Sequence, residues 1–141
     1  YFPNCGITTD LIVGFPGETE EEFEETLQFI EKCAFSSMHV FPYSRRPGTR
    51  AASMEGQLPR SVKKERAAKV AELARRMKNE FLSAQIGLTA NVLIESAKDG
   101  LATGFTGNYC EVCVRGNPAR NETVSVKITG KNGDMLMGEL V

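Results

Sequence analysis

Two rhythms of apolar and polar positions divide the chain. Up to about residue 84, short apolar runs alternate with stretches of helical spacing; from Gly87 the period shortens to two. Leu11 to Val13 is a brief apolar run followed by Gly14 to Gly17, a tight turn of Gly, Pro and Gly residues. Thr19 reads as a helix N-cap, with Glu20 to Glu22 in the first turn and Glu22 at the capping-box position. Phe23, Leu27 and Ile30 then recur at i, i+4 and i+7, which predicts an amphipathic helix over Glu20 to Cys33 with an acidic outer face. Met38 to Tyr43 reads as a second strand, ended by the turn-rich Ser44 to Thr49. Strand, helix and strand in this order make a βαβ unit with a parallel pair.

Pro59 to Ala84 reads as one long helix. Proline suits its first position, and Val62, Val70, Leu73, Met77, Phe81 and Ala84 trace its apolar stripe. Five short β runs follow: Thr89–Ile94, Leu101–Phe105, Tyr109–Val114, Thr123–Ile128 and Met135–Leu140. Gly, Asn and Asp turns separate them, as in a small antiparallel barrel. The expected organisation is therefore an α/β part over 1–84 and a β-barrel over 85–141.

Composition adds little until it is read by position. Hydrophobic content of 41% and charged content of 25% are ordinary for a globular protein, and no apolar run is long enough to cross a bilayer. A cytoplasmic location is the expectation. The net charge of −1 hides an asymmetry. Asp10 to Glu31 holds eight acidic residues and no basic one, whereas Arg60 to Lys78 holds eight basic residues against Glu65 and Glu72. That allows a nucleic-acid contact on one face, or simply two solvated helix faces of opposite sign. Of the four cysteines, only Cys110 and Cys113 have a metal-like spacing. They fall in an alternating run, where an offset of three sends them to opposite faces, so no metal or cluster site is expected. A start at Tyr1, close to a core strand and without methionine, suggests a fragment.

The candidate chemistry centres on the glycine turn. In α/β folds the carboxyl end of a strand is where ligands sit, and Gly14 and Gly17 would let a flat ligand approach the backbone. Geometry leaves open an ordinary βα connection with no ligand. The wording is more specific. Asp10-x-Ile12-Val-Gly14-Phe-Pro-Gly17-Glu18-Thr19 resembles the fifth-strand segment of the radical S-adenosylmethionine methylthiotransferases. Phe41-Pro-Tyr43-Ser44-x-Arg46-Pro47-Gly48-Thr49-x-Ala51, then Gln57-Leu-Pro59 and Val62-Lys-Lys-Glu-Arg66, match the same family in the same order. Gly104-x-Thr106-x-Asn108-Tyr109 and Gly138-Glu-Leu140 look like wording of the TRAM domain, the oligonucleotide-binding-like module that closes these enzymes.

The resemblance implies a fold, a cofactor and a partner. The fold would be the C-terminal portion of a radical-SAM partial α/β barrel followed by a small antiparallel β-barrel. Ile12, Gly14, Glu18, Phe41 and Tyr43 would lie on the adenine side of an S-adenosylmethionine site. The four-iron–four-sulfur clusters of the full-length protein would be held by cysteines outside this sequence, so the chain alone is expected to bind no cluster and to be inactive, with no catalytic residue of its own. The His39-Val-Phe-Pro-Tyr-Ser wording looks most like the branch acting on threonylcarbamoyladenosine in tRNA; sister branches act on isopentenyladenosine in tRNA and on a ribosomal protein. The partners would be a tRNA anticodon stem-loop and the missing N-terminal part of the same protein. Arg46, Arg115, Arg120, Lys127 and Lys131 are the candidate RNA contacts, with Arg75, Arg76 and Lys78 beside them. For Arg46 the alternative is a brace to Asp10 or Glu18. A non-catalytic RNA-binding module is the competing reading, and missing strands would leave a sheet edge open to association.

Overall fold

The computed structural model describes residues 2–141. The chain divides into two compact units, Ile7–Met77 and Lys78–Val141, the latter joined by the residues up to Gly6.

In the first unit, β1 (Thr8–Val13) leads through the glycine turn to α1 (Glu20–Cys33), and β2 (Ser37–Pro42) returns parallel to β1 with Leu11 opposite Val40 and Ile12 opposite Phe41. The capping box forms as expected. Thr19 Oγ1 accepts from the Glu22 N–H at 3.1 Å, and Glu22 Oε2 accepts from the Thr19 N–H at 2.9 Å. A short helix, α2 (Arg50–Ser53), interrupts the loop before α3 (Arg60–Ala84). Alternation along β1 and β2 splits the sheet into two faces. Leu11, Val13, Met38 and Val40 join Phe23, Ile30, Val70 and Met77 in the core. Burial of Phe23 alone is worth about 2–3 kcal/mol. Asp10, Ile12, His39 and Phe41 stand exposed on the other face.

The second unit is a closed barrel of β3 (Thr89–Lys98), β4 (Leu101–Thr106), β5 (Glu111–Arg115), β6 (Thr123–Asn132) and β7 (Met135–Leu140), in the ring order β3-β4-β5-β7-β6. The expectation of a wholly antiparallel barrel is corrected: β5 and β7 run parallel, with Val112 opposite Leu136 and Val114 opposite Gly138. Counting explains it. Strand directions cannot alternate all the way round a ring of five, so one neighbouring pair must be parallel. Val92, Ile94, Val112, Val114, Val126, Ile128 and Leu136 fill the interior.

Several element ends differ from the sequence reading, among them β6, which runs past Ile128 to Asn132. β3 continues to Lys98 across a bulge between Ile94 and Ser96, which re-aims the strand as the barrel closes. β5 begins at Glu111, because Tyr109 sits at φ +63° in a turn whose N–H donates to the Thr106 carbonyl at 3.0 Å. At the end of α3, Ala84 is exposed, while Leu82 and, just beyond the helix, Gln85 are buried within the barrel unit.

Candidate functional site

The glycine turn is held from beneath by one carboxylate. Both oxygens of Glu18 accept from the Gly14 N–H, at 3.0 and 3.1 Å. The same carboxylate meets Arg66 of α3, whose Nη1 donates to Glu18 Oε1 at 2.5 Å and to the Glu18 carbonyl at 3.0 Å. Arg66 Nη2 reaches Glu20 at 2.9 Å, and its guanidinium lies 5.1 Å from the centre of the Phe23 ring. Burial of Arg66 opposes its charge; the hydrogen bonds and charges of Glu18 and Glu20 outweigh that and hold its pKa above the ordinary arginine value. The turn closes further through the Gly17 N–H, which donates to the Gly56 carbonyl at 2.9 Å. Gly14 is buried at φ +71°, and a Cβ there would stand 2.4 Å from Lys63 Cγ. Only glycine fits without displacing that lysine.

Above this brace the strand ends present a small apolar surface. Ile12 and Phe41, opposite each other in the register, are 54% and 50% exposed on the uncovered sheet face. The Tyr43 N–H extends the pairing by donating to the Val13 carbonyl at 2.8 Å. The Tyr43 ring meets Phe15 edge-on at 5.3 Å, and Lys63 Nζ lies 5.5 Å from its centre. Ile12, Gly14, Phe41 and Tyr43 are thus gathered at one end of the β1–β2 pair, with Glu18 committed underneath.

The brace between Arg46 and Asp10 or Glu18 does not form. Glu18 is taken by Arg66, and Arg46 is exposed with no ion pair among the described residues. Its backbone explains why: the Arg46 carbonyl accepts from both the N–H and the hydroxyl of Thr49, the N-cap of α2, which turns this loop into its own capped bend. In the sequence Arg66 closes the Val62-Lys-Lys-Glu-Arg66 motif and carries no role of its own. The signal for it was a basic residue on the apolar line of α3, four before Val70.

The barrel's basic residues do not converge. Arg115 ends β5 opposite Leu101, at the end where β3 turns into β4. Lys131 lies at the opposite end, beside the β6–β7 turn, where its ammonium bonds Asn79. Lys127 donates to the Gly87 carbonyl at 2.5 Å, and Arg120 stands exposed in the loop before β6. Lys78 is paired with Asp134 at 2.7 Å and Arg76 with Glu31. No group of three or more His, Cys, Asp or Glu among the described residues is arranged to hold a metal ion, and no helix among them is long and apolar enough to cross a membrane.

No protein-family profile matches the chain. Among curated proteins, it is 41% identical over 99% of its length to a tRNA-2-methylthio-N(6)-dimethylallyladenosine synthase of Aliarcobacter butzleri (strain RM4018), of which the match covers 33%. A threonylcarbamoyladenosine tRNA methylthiotransferase of Bacillus subtilis (strain 168) is 41% identical over 89% of the chain and 29% of the relative. Another of that name, from Chlamydia pneumoniae, is 38% identical over 99% of the chain and 34% of the relative. The chain spans about a third of the length of these curated relatives. It belongs to the tRNA methylthiotransferases by sequence over nearly its whole length, and the matches support its being a carboxy-terminal part of such a protein.

Proposed function

We propose that the chain is the part of a tRNA methylthiotransferase that supplies one edge of the S-adenosylmethionine site and an RNA-binding barrel. In this reading the whole protein adds a methylthio group to N6-threonylcarbamoyladenosine next to the anticodon. The observation that carries it is the match to tRNA methylthiotransferases over nearly the whole chain, within which Gly14, Glu18 and Arg66 form one braced turn.

The residues at the strand ends suit the adenine end of the cofactor. Ile12 and Phe41 offer half-exposed apolar side chains, and the turn at Gly14 carries no Cβ to block a flat ring. Glu18 acts indirectly: it fixes the Gly14 N–H and joins the turn to α3. When bound, S-adenosylmethionine would supply the radical chemistry of these enzymes. The iron–sulfur clusters do not fit this chain. Cys5 is exposed, Cys33 is half-buried at the end of α1, and Cys110 and Cys113 are buried within the barrel unit. The cluster ligands are therefore assigned to another part of the protein, and the chain alone is expected to be inactive. The ring order of the barrel, five strands with one parallel closure, supports an oligonucleotide-binding-like TRAM module with tRNA as partner. A tRNA substrate supports a cytoplasmic location.

The test replaces the matching segment of the Bacillus subtilis relative with this chain. Nucleosides from cells lacking the native enzyme are then read by mass spectrometry. Methylthiolated threonylcarbamoyladenosine is expected. Methylthiolated isopentenyladenosine would move the assignment to the sister branch. No methylthiolated product from a chimera that folds like its parent would overturn the reading.

A further inference from the structure

We propose that a basic cleft between the end of β2 and the start of α3 holds phosphates of an RNA backbone, separately from any contact made by the barrel. The inference rests on the reading of tRNA as the partner and adds the surface that grips it. The cleft has a volume of about 480 Å³ and is lined by Tyr43, Arg45, Arg60, Lys63 and Lys64 among others. Four cations line it and no carboxylate does. None of the four is in an ion pair among the described residues.

Three observations make this more than a solvated face. Arg60 and Lys63 lie in the first turn of α3, which carries no acidic residue, and Lys64 follows directly. The positive end of the helix dipole disfavours cations there and favours an anion, so the arrangement opposes helix stability unless negative charge arrives from outside. Across the cleft, Arg45 is anchored: its Nε donates to the Ala52 carbonyl at 2.7 Å, which fixes a guanidinium on the far wall. The Tyr43 hydroxyl is shut off from solvent without a hydrogen-bond partner, and its ring is already engaged by Lys63 and Phe15. The walls therefore offer charge rather than a stacking surface, which selects phosphate over base.

The experiment titrates a fluorescently labelled anticodon stem-loop with the whole chain across a range of salt concentrations. It compares Arg60→Glu/Lys64→Glu with the barrel pair Arg115→Glu/Lys127→Glu, with melting curves to confirm folding. Lys63 is left in place because it packs over Gly14 and Tyr43. The cleft pair should weaken binding roughly tenfold and lower the slope of log affinity against log salt by about 2. Arg60→Gln/Lys64→Gln should show the same trend at smaller size. Unchanged affinity and slope in a folded cleft variant would overturn the cleft alone. Absence of binding by the unaltered chain would overturn both readings. Competition by polyglutamate as strong as by unlabelled RNA, or displacement of RNA by inorganic phosphate at equal concentration, would also overturn the backbone assignment.

Discussion

Glu18 and Arg66, 48 positions apart, meet at 2.5 Å beneath the glycine turn, with side chains 16% and 6% exposed. The pair does more than neutralise charge. Because the same carboxylate accepts from the Gly14 N–H, removal of Glu18 frees the end of β1 as well as Arg66 of α3, whereas removal of Arg66 breaks only the link to α3. Arg66→Ala leaves the carboxylate half-paired in a partly buried site and should cost about 3 kcal/mol. Arg66→Lys should recover only part of this, since a single ammonium cannot serve the Glu18 carboxylate, its carbonyl and Glu20 together. Urea unfolding curves would check it, with the midpoint falling and the slope unchanged. An Arg66→Ala loss under about 1 kcal/mol would show the pair behaving as an exposed one.

Gly14→Ala and Gly104→Ala separate two kinds of glycine. At Gly14 the added methyl meets a lysine side chain and a φ of +71°, so the backbone strain of about 1–2 kcal/mol dominates while Lys63 swings away. At Gly104 the methyl would lie 2.1 Å from the Leu93 carbonyl oxygen, beside the β3 bulge, where a closed barrel leaves the backbone little room. A loss of about 3 kcal/mol is expected there. Circular dichroism melts of the two variants should rank Gly104→Ala as the more damaging.

Burial pushes the Cys110 thiol up from its ordinary value, against smaller opposing effects of the Thr106 hydrogen bond and the Lys78 charge. The neutral thiol is thus favoured by folding. That contribution is fully present below the unfolded value near 9 and is lost as pH rises through the folded one. Stability of the barrel should fall in alkaline buffer more steeply in the native chain than in Cys110→Ala. With iodoacetamide at neutral pH, Cys5 should react first and Cys110 only on unfolding, as peptide mapping would reveal.

Gln85 is a buried amide with every polar atom employed. It exchanges hydrogen bonds with Asn4 at 2.6 and 2.8 Å, donates to the Phe81 carbonyl and accepts from Asn108. Gln85→Leu strands two of these partners and should cost about 1–3 kcal/mol. Hydrogen exchange should also speed up at the amides of residues 4–6, which Asn4 ties down; unaltered exchange there would show the tie to be idle.

What could be read in advance was local. The Thr19 capping box, the α1 stripe of Phe23 and Ile30, and the alternation of Val112 and Val114 each obey a rule that acts within a few residues. Relationships set by closure could not be read that way. The parallel β5–β7 pair follows from how many strands complete a ring, a property of the whole barrel. Arg66 looked like one more surface charge because its partner lies 48 residues away. Tyr109 continued an alternating pattern that the turn held by Thr106 and Asn108 interrupts. The barrel cations looked like one group in sequence because strand order and spatial order differ.

The ring order also sets a schedule for synthesis. β7 is both the last strand of the barrel to leave the ribosome and the one that joins β5 to β6. Until residues 135–140 emerge, two strands present open edges at once, and the pairing of β3 with β6 must hold a sheet that has not yet closed. A nascent chain that has emerged only as far as Asp134 would therefore expose Val112, Val126 and Ile128 to chaperones, while one with residues 135–140 also outside the ribosome would not.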